Sequence, residues 1–311
     1  MNAVTPPYIK AAEDLRGNEG QWKAYQSTGN CVILAGPGSG KTKTITVKIA
    51  RLLAEDVRRP RRIACITYSN ACVGELRSRL IKLGIDNSDR LLLSTVHSFC
   101  LTELVLPYAA MTGLDVPEPL VVASPAQARK LFGDAYRAQL GGNAPNWFRT
   151  ACEKLRRTIP DRDGDEWREW SRERRVIEAY EALLLQNGLI DFDGLVLAGL
   201  QLIEKHAWVR RTIRAKYPVV VIDEYQDLGL PLHRIVLALL RAGVRIPARW
   251  KLQHGAYYYR VPLGLEAMWD DKKFFRLGKR CRKRTKRGRP GWSPMRTHAP
   301  SANCWTAMPT K

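Results

Sequence analysis

Ala35-Gly36-Pro37-Gly38-Ser39-Gly40-Lys41-Thr42 is the stretch that decides the fold. It follows a run of buried-strand character, Cys31-Val32-Ile33-Leu34-Ala35, and precedes apolar residues at Ile45, Ile49, Leu52 and Leu53, the spacing of one helix face. A glycine-rich turn entered from a strand and left by a helix is the setting of a phosphate-binding loop. Small residues let backbone N–H groups curl round a polyphosphate, and the helix N-terminus adds its positive end. Lys41 is placed to reach the β and γ phosphates, and Thr42 to ligate Mg2+. The strict pattern has Gly where this chain has Ala35, a change too small to stop the loop closing.

Working outward, the same unit repeats. A strand centred on Ile63-Ala64-Cys65-Ile66 precedes a helix with Val73, Leu76, Leu80 and Leu83 on one face, and Leu91 to Thr95 runs into a helix from His97 to about Leu106. From Pro107 to Tyr217 the pattern is helical throughout, punctuated by Pro117, Pro119, Pro125 and Gly141-Gly142-Asn143. The β-branched run Pro218-Val219-Val220-Val221-Ile222 then returns to strand character, and Leu232 to Leu240 to helix. Strand-helix alternation predicts an α/β fold with a parallel sheet and an α-helical insertion.

Asp223-Glu224 at the end of that apolar strand complements the loop. In a P-loop sheet this position lies beside the phosphates, where Asp223 can hold Mg2+ through water and Glu224 can orient or deprotonate an attacking water. Alone, two carboxylates after a strand read as a solvated turn. Their value comes from sharing a chain with the loop.

The chain has 311 residues and a formal charge of +21, too basic to be incidental. Through Gly243 the net charge is +7, and the last 68 residues carry +14. Hydrophobic content of 45% supplies a core and excludes whole-chain disorder. The start carries Glu13 and Asp14 without an apolar run, and no stretch approaches about 18 consecutive apolar residues, so neither a secretory signal nor a membrane span is expected. Seven cysteines without a Cys-x-x-Cys pair read as buried thiols of a cytoplasmic protein.

Taken together, the motifs resemble those of the UvrD/Rep/PcrA-type superfamily 1 DNA helicases. Asp223-Glu224-Tyr225-Gln226-Asp227 is similar to motif II of that family, and Asn18-Glu19-Gly20-Gln21 to its Q motif, whose Gln contacts adenine. Thr67-Tyr68-Ser69-Asn70-Ala71 occupies the place of motif Ia, and Ser94 to Phe99 that of motif Ib, both on the family's single-stranded DNA track. Leu189 to Leu195 is similar to a segment that commonly precedes motif II. The resemblance covers about residues 12 to 243.

What it implies is specific. The fold is a P-loop NTPase with a RecA-like parallel sheet: domain 1A over 1–106 and 218–246, a 1B-like helical insertion over 107–217, and an irregular basic tail over 247–311. The ligands are ATP, Mg2+ and single-stranded or partly duplex DNA, with no membrane and no obligate protein partner. Lys41, Glu224 and Gln226 are the expected catalytic residues, and Thr42 and Asp223 the metal ligands. ATP contacts are expected from Gln21 and from the loop Ala35, Gly36, Pro37, Gly38, Ser39, Gly40, Lys41, Thr42 and Lys43. Hydroxyl, amide and imidazole groups at Thr67, Ser69, Asn70, Thr95, His97 and Ser98 suit phosphate and sugar contacts, and Tyr68 suits stacking on any base. The family activity is ATP-driven 3′-to-5′ translocation on single-stranded DNA. Val96 departs from the aromatic usual in motif Ib, and Ala71-Cys72 from the Lys-Ala common in motif Ia.

After Gly243 the pattern breaks. Val244 to Ile246 begins a strand that Pro247 interrupts, and the place of motif III reads Pro247 to Gly255 without a match. Motifs IV to VI are not found in the rest, which is filled by four Trp, a Tyr257-Tyr258-Tyr259 triplet and eight basic residues between Lys279 and Arg289. The expectation is that sequence after about Arg241 is read out of frame. Recovery of motif III in one of the other two frames is the observation that checks it. Two rival functions stay open: a different P-loop NTPase such as a small-molecule kinase, and a DNA-binding protein that uses the basic tail and retains only a vestigial nucleotide site.

Overall fold

The computed structural model describes residues 6–35, 38–85, 89–225, 229–246, 250–252 and 274–277. Strands β1 (Val32–Ala35), β2 (Ile63–Thr67) and β3 (Leu91–Thr95) alternate with helices, after α1 (Pro7–Glu13) and α2 (Glu19–Gln26). Helix α3 (Lys41–Arg51) continues into a π-helical turn, and α4 (Asn70–Lys82) follows β2. Helix α5 (Val96–Phe99) runs through a second π-helical stretch into α6 (Leu106–Thr112). Next come β4 (Val121–Val122), α7 (Pro125–Leu140), α8 (Asn146–Thr158), α9 (Asp165–Glu169), α10 (Ser171–Gln186), β5 (Leu189–Ile190), α11 (Phe192–Lys205) and α12 (Ala207–Lys216). Strand β6 (Val219–Ile222), α13 (Gly229–Arg241), β7 (Trp250–Leu252) and β8 (Phe274–Leu277) complete the described elements.

The sheet is parallel, with β2 between β3 and β6. Its two three-stranded ladders are joined through residues 244 to 246. Arg245 bridges Val219, and the Cys31 amide donates to Ile246 O at 3.1 Å, so this segment lies between β6 and β1. Thus Val244 to Ile246 does form extended chain, as its sequence suggests. Within 247–311, which the sequence leaves irregular, β7 and β8 pair with the two sides of β1. A strand of three or four residues needs an open sheet edge rather than a sustained hydrophobic period.

Alternation along the strands feeds two cores. Cys65 and Val221 pack with Ile45, Ile49, Leu76 and Leu80 of α3 and α4 on one face. Ile66 and Ile222 pack with Phe99, Leu202, Ile213 and Ile235 on the other. The result is a three-layer α/β/α arrangement.

The helical region between Pro107 and Tyr217 divides. A separate core of Phe132, Phe148, Trp167, Val176 and Tyr180 spans α7 to α10, whereas α11 and α12 belong to the core on the sheet. Reading 107–217 as one insertion therefore extends it too far. Helix α11 is apolar on most sides, and Gly199 lets it approach so closely that an added Cβ would stand 3.1 Å from Cys100 Sγ. Cys31, Cys65, Cys100 and Cys152 are buried, and burial pushes the Cys100 and Cys152 thiols up to about 12. No helix among the described residues is long and apolar enough to cross a membrane.

Lys48 ties α3 to the end of α2. Only 1% exposed, it donates to Ala24 O and Ser27 O, both at 2.6 Å, at the C-terminal end of α2. Burial lowers its pKa to about 8. The cost of burying its charge is present in full below that pH and is relieved as pH rises toward the ordinary 10.5. Lys48→Met is expected to cost about 2 kcal/mol in urea unfolding at pH 7, from the carbonyls left unpaired. The deficit widens between pH 8 and 10, because only the wild-type chain gains stability there.

Candidate functional site

The loop that leaves β1 delivers the chain to α3 through Gly40, which has φ +79° and offers no capping side chain. The first amides of α3 are therefore left without a side-chain cap, the condition under which a helix start receives an anion. The φ of +79° is what favours glycine at position 40, and a Cβ there would also push on Gln21 Nε2, 2.5 Å away. Gln21 in turn is set by Asn18, whose side chain caps α2 by accepting from the Gln21 amide at 3.1 Å. Its Nε2 donates to Ser39 O at 2.8 Å. The residue expected to read adenine thus also pins the phosphate loop. Lys43 forms an exposed ion pair with Asp14 at 3.2 Å. Gly38 is exposed with φ +71°, and Gly36 and Pro37 lie outside the described residues.

Strand β6 brings the carboxylates to the same place. Glu224 carries φ +50°, the one positive value at a non-glycine residue among those described. Such a turn costs about 1 to 3 kcal/mol and is found where a side chain must be aimed. Glu224 Oε1 receives an ion pair from Lys41 Nζ, across 183 residues of sequence. Asp223 is buried, accepts from the Glu224 amide at 3.0 Å and makes no ion pair among the described residues. Burial, then the Glu224 charge, raises its pKa to about 6 against the opposing pull of Lys41. A buried carboxylate without an ion pair among the described residues, next to the Glu224 that holds Lys41 at the start of α3, suits a divalent cation. Tyr225 hydrogen-bonds His233 on α13, and Gln226 lies outside the described residues.

Past the ends of β2 and β3 the expected DNA-side residues separate. Thr67, expected on the DNA side, is fully buried, so in this structure its side chain is not presented at the surface beside Tyr68. It is the last residue of β2 and shares the burial of Cys65 and Ile66 rather than the exposure of the following loop. Tyr68 is 54% exposed. Ser69 caps α4 by accepting from Cys72 N at 3.2 Å, and Thr95 caps α5 by accepting from Ser98 N at 3.3 Å. Asn70 and Ser98 are exposed.

His97 meets Phe192 edge-on at 5.2 Å, and burial lowers its pKa despite the nearby Asp193. Tyr68, His97, Arg157, Phe192 and Asp193 share the lining of a cavity of about 290 Å3. Phe192 is 51% exposed, a large apolar ring left at the surface beside Tyr68. The sequence reading missed it, although it follows Asp191, whose carboxylate caps α11 by accepting from Gly194 N at 2.7 Å.

The model of a family described as the UvrD/REP helicase N-terminal domain matches residues 17–245. The chain is 29% identical over 247 residues to the ATP-dependent DNA helicase Rep of Escherichia coli, covering 74% of this chain and 35% of that protein. It is 27% identical over 230 residues to the ATP-dependent DNA helicase PcrA of Staphylococcus aureus, covering 71% and 31%. The chain spans about a third of the length of these curated relatives.

Proposed function

Because the chain belongs to the UvrD/REP helicase N-terminal domain family, we propose that it is the nucleotide-binding module of a DNA helicase, binding ATP between α2, the Gly38–Thr42 loop and the end of β6. The observation that carries this is the meeting of Lys41 with Glu224, beside the buried Asp223, at the C-terminal end of a parallel sheet. Ligands of open α/β sheets bind at that end. A small-molecule kinase gives no role to the Asp223-Glu224-Tyr225-Gln226-Asp227 motif or to the exposed residues after β2 and β3, and a DNA-binding protein that uses the basic tail predicts that deleting residues 247–311 removes most DNA affinity.

In this reading the α3 amides receive phosphate oxygens, and Lys41 exchanges Glu224 for the β and γ phosphates. Glu224, released, is free to orient or deprotonate an attacking water. Thr42 and Asp223 would hold Mg2+, which when bound offsets the phosphate charge. Gln226, two residues after Glu224 in the sequence of the same motif, is assigned with it. Single-stranded DNA passes over the exposed residues after β2 and β3, stacking on Tyr68 and Phe192 with polar contacts from Asn70, His97 and Ser98. The 3′-to-5′ direction follows from the resemblance.

A second RecA-like domain supplies an arginine to the transferring phosphoryl group in the intact family, and no matching motif is found in these 311 residues. Loss of such a residue costs 10³ to 10⁵ in rate. The purified chain is therefore expected to bind Mg·ATP, hydrolyse it slowly and leave duplex DNA intact. A strand-separation assay with labelled duplex checks this, and robust unwinding by the chain alone would refute it.

A further inference from the structure

We propose that the Thr67 hydroxyl belongs to the metal-nucleotide site, where it hydrogen-bonds to a water in the coordination shell of the bound Mg2+. The inference rests on the nucleotide-binding function proposed above and deepens it. Thr67 is 0% exposed, and its Oγ1 has no hydrogen-bond partner among the described residues. Its buried counterparts on α3 are satisfied within their own helix: Thr44 donates to Gly40 O at 3.1 Å and Thr46 to Thr42 O at 2.9 Å. A buried hydroxyl left alone is costly, and such groups in native structures mark a partner that arrives with a ligand or water.

The register says which ligand. Ile66 pairs with Ile222, and the Asp223 amide donates to Ile66 O at 2.8 Å, so the ladder continues with Thr67 beside Asp223. Neighbouring strands lie about 4.8 Å apart. Two residues before each, Cys65 and Val221 face the core under α3 and α4, so strand alternation returns Thr67 and Asp223 to the side of the sheet that carries α3 and its loop. A hydroxyl one strand from the metal carboxylate is too far to replace a ligand and well placed to hold a water on it. Mg2+ keeps several of its waters, and groups that orient those waters tune how tightly it is held. Thr67 also immediately precedes Tyr68, Ser69 and Asn70, so the end of β2 joins the metal site to the residues facing DNA.

The test uses the full 311-residue chain, with a fluorescent ADP analogue titrated in Mg2+ and in excess EDTA. The readout is the ratio of the two dissociation constants. Thr67→Val keeps the shape and removes the hydroxyl; it is expected to shrink that ratio about three- to tenfold, the worth of one hydrogen bond, with the EDTA constant unchanged. Thr67→Ser restores the ratio. The ligand-free Thr67→Val chain unfolds at the same temperature as wild type or a higher one, because an orphaned polar atom has been removed. An unchanged ratio in Thr67→Val overturns the proposal, as does a ligand-free chain that is clearly less stable. So does weaker single-stranded DNA binding in the absence of nucleotide, which returns Thr67 to the DNA side. A wild-type chain that binds the analogue equally with and without Mg2+ fails the underlying function as well, and that result is distinguishable because it appears before any substitution is made.

Discussion

Lys41→Ala is expected to weaken Mg·ATP binding at least about 100-fold while leaving the fold in place. In the ligand-free chain Lys41 Nζ is already held at the site by Glu224, and its side chain is only 13% exposed. Charge-assisted hydrogen bonds to phosphate in so sheltered a place are worth roughly 1.5 to 3 kcal/mol each, and 2.7 kcal/mol is a hundredfold. Alanine removes the cation and leaves Glu224 facing the incoming phosphates, so repulsion adds to the lost attraction. Helix α3 is anchored by Ile45 and Ile49 in the sheet core, both 0% exposed, so circular dichroism and the unfolding midpoint are expected to stay near wild type. Calorimetric titration with Mg·ATP reads the affinity. A loss smaller than threefold in a folded variant would mean that the loop is not where the phosphates sit.

The second large effect lies in the junction between the helical region and the sheet. The Arg156 side chain is 4% exposed and reaches the Asp191 carboxylate at 2.5 and 3.0 Å and Glu181 at 2.8 Å. Tyr180 donates to the same Asp191 at 2.9 Å. Burial pushes the Asp191 carboxyl up, but the Arg156 guanidinium and the donated hydrogen bonds outweigh it and hold the pKa below the usual value of 3.8. Its contribution to stability is present above that value and is lost as pH falls through the lower, folded pKa. Arg156→Met deletes the cation and strands a buried carboxylate, expected to cost about 3 to 5 kcal/mol in urea unfolding. Against a total stability of roughly 5 to 15 kcal/mol, that is enough to loosen the segment carrying Phe192. A cost below 1 kcal/mol would show that the network is solvated.

Much of this was legible in the sequence, and the reasons differ by element. The phosphate loop and the Asp223-Glu224 turn are set by local chemistry, so Gly40, Lys41 and Asp223 stand where their neighbours place them. Each core strand was visible as an apolar run, and α13 as a helix. What the sequence hid depends on contacts between distant segments. The burial of Thr67 comes from its place on a central strand, which the adjoining Tyr68-Ser69-Asn70 disguises as part of a loop. Assignment of α11 to the sheet core rather than the insertion depends on Gly199 meeting Cys100. Phe192 gains meaning only beside Tyr68 and His97, and the sheet's continuation through β7 and β8 has no period to announce it.

The overall charge of +21 suggests nucleic-acid binding by the whole chain, yet residues 1–243 carry only +7 of it. The case for DNA therefore rests on the exposed residues after β2 and β3 rather than on net charge.

Everything above depends on nucleotide reaching the loop between β1 and α3. Calorimetric titration of the wild-type 311-residue chain with ADP, with and without Mg2+, tests this most directly. The account predicts saturable binding of one nucleotide per chain that weakens when the metal is chelated. No binding at millimolar ADP, or binding indifferent to both Mg2+ and Lys41→Ala, would contradict it.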